Sequence, residues 1–440
     1  NGESVIGASV VVKGTTNGGI TGMDGDFIIS NVKKGDIIVI SFVGYAEQEI
    51  VWDGKPMKVT LQEDTETLDE VVVVGYGVQR KSSITGSIAS VKSDKLKTVT
   101  TPSVANMLQG KVAGVVVTPT SGRPGAGVSI RVRGTGSLRG NTEPLWVIDG
   151  VVGDAMADLN PNDIESISIL KDGSATALYG SRGANGVVQV TTKRATTGGS
   201  SFDASVKFGI SQLQKGNLEM MNGAEYYDYL VTAYTNAGTL QDQQWLQPYL
   251  KEQNFDWWDF ATQNALTQNY NIGYKYGNDR IKSYISADYY TEEGAIKGYD
   301  YDRFTLRVNT DYIVNDRLTL RAKLSTSYKE TYGLSHTSYT PWDTPYDSQG
   351  NIKIGTEGRP SKEDAATADP RDYWYSDGSS NWLYNNQLNW GKSRSNAMDI
   401  GAGFDYKIFD WLTFVSNNKV GLSNSYGENY YDPKAVGQES

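Results

Sequence analysis

The sequence predicts a mainly β protein in three parts: a small β-sandwich, a mixed α/β domain, and strands of a transmembrane antiparallel β-barrel. Three observations predict it. Long runs after residue 200 alternate apolar and polar residues with a period of two. The connections between those runs are alternately tight and long. The 440 residues include 28 Tyr, 10 Trp, 10 Phe and 48 Gly, yet only 38 % are hydrophobic. A barrel wall needs one apolar face per strand and aromatics at the membrane interfaces, whereas a dry core of this size needs more aliphatic side chains.

Residues 1–62 read as the sandwich. β-prone runs at 10–13, 27–30, 37–42 and 57–62 are separated by turn residues such as Asn17–Gly19 and Asp24–Gly25, and this spacing predicts six or seven short strands. Asp24, Asp26 and Asp36 sit at turns, where their side chains bond local backbone. Residues 63–70 are acidic and run abruptly into the β-branched VVVVGYG. Two readings fit: a linker leading into the next domain, or a segment that adds as a strand to another chain's sheet edge.

Residues 78–195 read as the α/β domain, with a helix over 103–108, strands over 114–119, 128–133, 145–149, 164–170 and 186–193, and a helix or turn near 174–179. Its glycines match neither the phosphate-cradling G-x-x-x-x-G-K-[ST] loop nor a G-x-G-x-x-G between strand and helix. They serve tight turns instead.

From 202 onward the alternation is strict. Phe304, Leu306, Val308 and Tyr312 share one face, opposite Thr305, Arg307, Asn309 and Asp311. The same period fits 202–212, 268–277, 281–291, 318–329, 397–408 and 412–423, giving seven strands. GNDR, VNDR and FDW make tight hairpins, while 213–267, 292–302 and 331–394 are long. Short turns on one side and long loops on the other mark an outer-membrane barrel with its turns in the periplasm. A soluble sheet gives no reason for Arg307, Arg321 and Lys323 to share a face with Asp311; a wet lumen hydrates them.

The composition also excludes. Lys plus Arg is 41 against 51 Asp plus Glu, a net charge of −10, which argues against nucleic acid as a partner. There is no Cys and one His, His336, so thiolate chemistry, histidine-based metal sites and Ser–His catalysis are not expected. No apolar run reaches the roughly 18 residues of a membrane helix. NGESVIGASV lacks a basic region followed by an apolar core, so any secretory leader is expected to have been removed.

Five stretches carry a resemblance: GASVVVKGTTNGGITGMDGDF (7–27), DEVVVVGYG (69–77), SIRVRGTGSL (129–138), PLWVIDGV (144–151) and NPNDIESISILKDGSATALYGSRGANGVVQVTTK (160–193). On these the chain resembles the SusC/RagA family of TonB-dependent outer-membrane transporters of Bacteroidetes. The resemblance implies a carboxypeptidase-regulatory-like β-sandwich extension (1–62) in the periplasm, an acidic linker and TonB box (63–77), a plug (78–195), and the first seven strands and outward loops of the barrel (200–440). It also decides between the two readings of 63–77: Asp69, Glu70, Val71, Val72, Val73, Val74 and Gly75 become the handle that TonB takes by strand addition. The implied function is active import of a nutrient, glycan fragments first and oligopeptides second, under a SusD-like lid lipoprotein. A dimer of such pairs, no cofactor and no metal go with it.

Two groups of site residues follow. Arg133 in SIRVRG and Lys171 in ILKDG match plug positions that, by the resemblance, engage acids on the inner barrel wall; Lys171 stands where Arg is more usual, which forgoes bidentate pairing. Alternation along the plug strands turns the loops at 121–127 and 151–158 outward, making Arg123, Asp154 and Asp158 candidates for substrate contact. The outward loops also carry Trp245, Trp257, Trp258, Trp342, Trp374, Trp382 and Trp390, which suit either sugar faces or loop packing and the interface belt; packing is expected for most.

Seven strands cannot close around a plug, since plugged transporters have about 22, so further strands are expected to pair with both outer edges. Three other functions compete. A signal transducer would carry a βαβ domain that 1–62 lacks. An outer-membrane enzyme would have to use carboxylates such as Asp256 and Asp259 as a glycosidase pair. A passive porin has no plug.

Overall fold

The computed structural model describes residues 4–436 apart from 6, 16, 43–44, 62–70, 75–76, 81–87, 97–99, 135–141, 154–158, 335, 368 and 377. Residues 1–88 and 89–440 are two compact units. In the first, β1 (Ser9–Val12), β2 (Gly18–Ile20), β3 (Ile37–Phe42) and β4 (Tyr45–Val51) form one antiparallel sheet in the order β2-β1-β3-β4. Among the described residues this is four strands, not six or seven. The runs at 27–30 and 57–61 do pack Phe27, Ile29, Met57, Val59 and Leu61 on the buried Val10, Val12, Ile38 and Ile40, but they make no ladder. Alternation there marks a covering segment, because pattern reports burial and not pairing. β5 (Val71–Val74) and β6 (Gly77–Arg80) form a separate hairpin.

The second unit begins with the plug. β7 (Ile88–Lys92), α1 (Ser93–Leu96), α2 (Val104–Met107), the hairpin of β8 (Val115–Pro119) and β9 (Val128–Val132), β10 (Leu145–Ile148), β11 (Val151–Val152), β12 (Ile164–Leu170), α3 (Gly173–Thr176) and β13 (Val187–Thr192) follow in order. The main sheet runs β11-β10-β13-β12-β7. Its core is aliphatic, with Ile164, Ile167, Ile169, Val188 and Val190 fully buried against Val104, Leu108 and Ile130. The sequence-predicted plug strands appear within a residue or two of their expected ends.

Seven strands then form one antiparallel sheet in chain order: β14 (Gly199–Ser211), β15 (Ala265–Gly277), β16 (Ile281–Glu293), β17 (Asp300–Asn315), β18 (Leu318–Gly333), β19 (Trp390–Phe409) and β20 (Leu412–Tyr430). One face is lipid-like. Tyr270, Tyr289, Phe304 and Tyr328 lie in register across four strands. Nearer the turns Ile285, Val308, Leu324, Ile400 and Val420 form an aliphatic row across five. Tyr312, Phe404, Tyr406 and Phe414 follow beyond it. This is an apolar band between two aromatic girdles. No helix among the described residues is long and apolar enough to cross a membrane.

The long connections are folded. α4 (Gly223–Ala237) starts with a capping box between Asn222 and Glu225 and ends at Gly238 in the left-handed region, φ 70°, so both ends are satisfied by short-range chemistry. α5 (Trp257–Ala261) and α6 (Trp382–Leu388) follow. Two aromatic cores hold these segments together. One joins Trp245, Trp342 and Tyr375, the other Trp257, Tyr339, Trp374 and Trp382.

Candidate functional site: the plug–wall interface and a cavity at the long-loop end

The turn before β12 builds the first contact. Asn160 caps it by accepting from the Asn162 backbone N–H at 2.9 Å, and Pro161 fixes its first residue, so Asn162 and Asp163 are presented rigidly to the wall. Asp163 Oδ1 accepts from Tyr284 Oη at 2.9 Å and Ser286 Oγ at 2.5 Å. Its Oδ2 lies 3.3 Å from Arg307 Nε, with the side chains 2 % and 9 % exposed. Asn162 Nδ2 donates to Asn269 Oδ1 at 2.9 Å and Asp288 Oδ2 at 3.0 Å, and Lys207 Nζ donates to Asn162 Oδ1 at 3.2 Å. Arg303, buried on the wall, sits 3.5 Å from Asp288 and donates to the Pro102 carbonyl of the plug at 2.6 Å. Charges this deep persist only when paired and hydrogen-bonded.

The second contact is the Asp149–Gly150 turn. Both residues have positive φ, 49° and 82°, the geometry of a two-residue hairpin between β10 and β11. The turn leaves the Asp149 carboxylate accepting from Thr192 N at 2.9 Å and Thr192 Oγ1 at 2.7 Å, with Lys323 Nζ at 3.6 Å. Burial alone would raise this carboxyl; Lys323, Arg194 and the two Thr192 bonds outweigh it and hold it below the ordinary range. Beside it Arg194 of the plug lies 3.5 Å from Asp311, and Asn309 Nδ2 donates to Thr192 Oγ1 and the Lys193 carbonyl, both at 3.2 Å. The groups in these contacts are polar, so each can bond water when the contact separates.

A cavity of about 620 Å³ lies at the other end, where the long connections sit, within the size of small-ligand sites. The 121–127 plug loop forms one side. The Arg123 guanidinium stacks 4.6 Å from the Tyr299 ring centroid. Two residues on, Gly125 has φ +67° and faces the Tyr301 ring so closely that a Cβ would come within 2.2 Å of it, so only glycine brings the loop this near. Trp382, Asn385 and Asn389 of the α6 segment and Trp390 and Asn429 at the strand ends complete the walls. The segment is fixed from behind. Asn381 caps α6, Tyr339 Oη accepts from Trp382 N at 2.9 Å, and the buried Asp343 accepts from Tyr375 N and Ser376 Oγ at 2.6 and 2.5 Å. Burial pushes the Asp343 carboxyl above its ordinary value.

The comparisons match this architecture. Residues 80–187 match the TonB-dependent receptor plug domain family, and residues 1–73 the CarboxypepD_reg-like domain. The TonB-dependent receptor SusC of Bacteroides thetaiotaomicron is 42 % identical over 323 residues, 70 % of this chain and 31 % of that one. The TonB-dependent receptor P26 of Formosa agariphila is 40 % identical over 337 residues, 74 % of this chain and 33 % of that one. The RagAB peptide importer in its open-open state superposes with a TM-score of 0.66 at 26 % identity, over 83 % of this chain and 44 % of that one.

The plug-domain match and these relatives support a SusC/RagA-like TonB-dependent transporter. The chain spans about a third of the length of the curated relatives it matches.

Within that SusC/RagA frame the sequence-predicted site residues divide. Arg123 lines the cavity. Asp154 and Asp158 lie outside the described residues, as do Asp69, Glu70 and Gly75. Val71, Val72, Val73 and Val74 form β5 and pair with 77–80. Arg133 is exposed in a left-handed turn, φ 58°, and Lys171 Nζ donates to the Ala113 carbonyl of the plug itself at 2.7 Å. The described plug–wall ion pairs mostly run the other way, from the plug acids Asp149 and Asp163 to the wall bases Lys323 and Arg307. Their sequence signal was present: Arg303, Arg307 and Lys323 occupy inward positions of the alternation, and Asp149 and Asp163 stand in the plug motifs. Asp256 is used differently from a glycosidase acid; it caps α5 by accepting from Asp259 N at 3.0 Å.

Proposed function

We propose that this protein works in the outer membrane as a TonB-dependent importer of a nutrient, glycan fragments before oligopeptides. The single observation that carries this reading is the two-sidedness of the wall. Its outward face is an apolar band with aromatic girdles, while its inward face holds the plug by buried polar bonds. In this reading further strands pair with β14 and β20, because open edges in lipid would leave backbone groups unsatisfied. TonB adds a strand at 69–75, the 1–62 domain lies in the periplasm, and pulling remodels the plug. Arg133 and Lys171 remain candidates for acids on strands outside this chain. A SusD-like lipoprotein closes over the long-loop end, in a dimer of such pairs. Uptake of labelled oligosaccharide by cells expressing the receptor tests it. Deleting 69–75 is expected to abolish uptake while leaving surface binding intact; unchanged uptake refutes the mechanism.

The oligopeptide reading has one observation in its favour, the likeness to the RagAB peptide importer. Competition by a peptide mixture in the same uptake assay separates the two.

A further inference from the structure

The cavity has an uneven chemistry. Among the described residues that line it, Arg123 alone carries a formal charge, and no carboxylate is present. The remaining polar groups are amides and hydroxyls, with Asn385, Asn389, Asn429 and Thr337 among them, and the apolar surface is mostly aromatic, from Tyr299, Trp382 and Trp390, with Leu334 and Val436 beside them. Some of these groups are already engaged: Asn385 Oδ1 accepts from Val436 N at 3.1 Å, its Nδ2 donates to Ser380 Oγ at 2.9 Å, and Asn389 Oδ1 accepts from Asp432 N at 2.9 Å. That leaves the Asn389 side-chain amide hydrogens for a ligand. The buried Trp382 Nε1 has no hydrogen-bond partner among the described residues. Arg123 is held by its stack on Tyr299, which leaves the guanidinium edge and its planar array of donors free for an anion. A cation over a ring, amide donors and indole surface in one polar cavity match a saccharide that carries a negative charge. A strongly basic or zwitterionic ligand meets no counter-charge for its cation here.

We propose that this cavity binds an acidic saccharide, with its carboxylate or sulfate on Arg123, its hydroxyls on the asparagine amides and its ring faces against Trp382 and Trp390. This rests on the import reading and narrows its substrate class. The test is calorimetry on the purified full-length receptor with four probes of matched length: an oligogalacturonate, a sulfated oligosaccharide, a neutral malto-oligosaccharide and an acidic peptide. At least one acidic saccharide is expected to bind about tenfold or more tighter than the neutral one, the scale of one charge-assisted hydrogen-bonded pair. Its affinity should fall with added salt. Arg123→Gln is expected to erase that difference, with Arg123→Lys retaining part of it, and Trp382→Phe to weaken every saccharide alike. The two acidic arms tell a carboxylate from a sulfate. Equal binding of neutral and acidic saccharides, indifference to Arg123→Gln, or tighter binding of the peptide overturns the proposal. Failure of the import reading shows elsewhere, as uptake that survives deletion of 69–75, and leaves this binding result standing.

Discussion

The inward faces of β15–β17 and of β19–β20 belong to one sheet and one alternation, yet they are built differently. On β15–β17 the inward residues are bulky hydrogen-bonders, among them Asn269, Tyr284, Asp288, Arg303 and Arg307, and all are buried under the plug. On β19–β20 small residues predominate: Ser393, Ser395 and Ala397 face Gly427, Ser425 and Ser423, and Gly391, Gly401, Gly403 and Gly421 each leave room for a longer partner, Asn429, Lys419, Asn417 and Asp399. The charges there pair within the wall, Lys419 with Asp399 at 2.8 Å, both partly exposed. Alternation says which way a residue points. Its size and bonding capacity say whether the plug touches it.

The contrast breaks first at its ion pairs. Asp163→Ala strands Arg307, Tyr284 and Ser286 at once in a buried site and is expected to cost about 3–5 kcal/mol. Asp399→Ala at the partly exposed pair is expected to cost about 1 kcal/mol or less. Urea unfolding of the two variants in detergent micelles measures both, and equal losses would remove the distinction. The two faces of β20 give the next effect. Leu422→Arg puts a charge on the lipid side and should cost about 2–4 kcal/mol near the bilayer centre. Ser423→Arg, one residue on, points into the lumen and should cost far less. Folding titrations into liposomes compare them, and the reverse order would invert the assignment of faces.

Much of this was legible in the sequence. All seven wall strands, their hairpins and the plug strands follow from period and turn chemistry, because β structure writes burial into every second residue. Asp149 and Asp163 were not legible as partners of Lys323 and Arg307. Their pairing joins positions more than a hundred residues apart, and nothing local records which inward base meets which plug acid. The same holds for the loop tryptophans. Trp245, Trp257, Trp342, Trp374 and Trp382 are buried in the two aromatic cores, and a tryptophan in a long loop reads alike whether it packs or binds. The strand ladders expected at 27–30 and 57–62 failed for the opposite reason: the pattern was right and the hydrogen bonds went elsewhere.

A smaller effect separates the plug loop from the strands it leans on. Gly125→Ala must strain a left-handed residue and displace the Tyr301 ring, a cost of about 1–3 kcal/mol. The Tyr301 ring lies on the plug-facing side, so Tyr301→Ala makes room and is expected to recover part of that loss in the double variant. Gly122→Ala, in the same loop with open space around it, is the control and should be nearly neutral. Thermal unfolding of the set reads the difference, and a Gly122→Ala loss as large as that of Gly125→Ala would show loop entropy rather than the ring to be responsible.

The smallest expected effect is a pH dependence confined to the Asp149 turn. Burial opposes ionisation there, but Lys323, Arg194 and Thr192 prevail, so the folded pKa lies below the unfolded one. A carboxyl shifted in that direction stabilises the fold fully above its unfolded pKa of about 3.9 and loses that contribution as pH falls through the folded value. The plug–wall contact at β10 should therefore be insensitive to pH from neutrality down to about 4 and weaken below it. Asp149→Asn keeps the shape and one acceptor oxygen for Thr192 but gives up the second and removes the charge, so it should lower stability at neutral pH and flatten the acid limb. Amide exchange on 145–152, followed against pH in both proteins, reads this locally. An acid limb unchanged in Asp149→Asn would assign the titration to another carboxylate and leave Lys323 without a role in seating the plug.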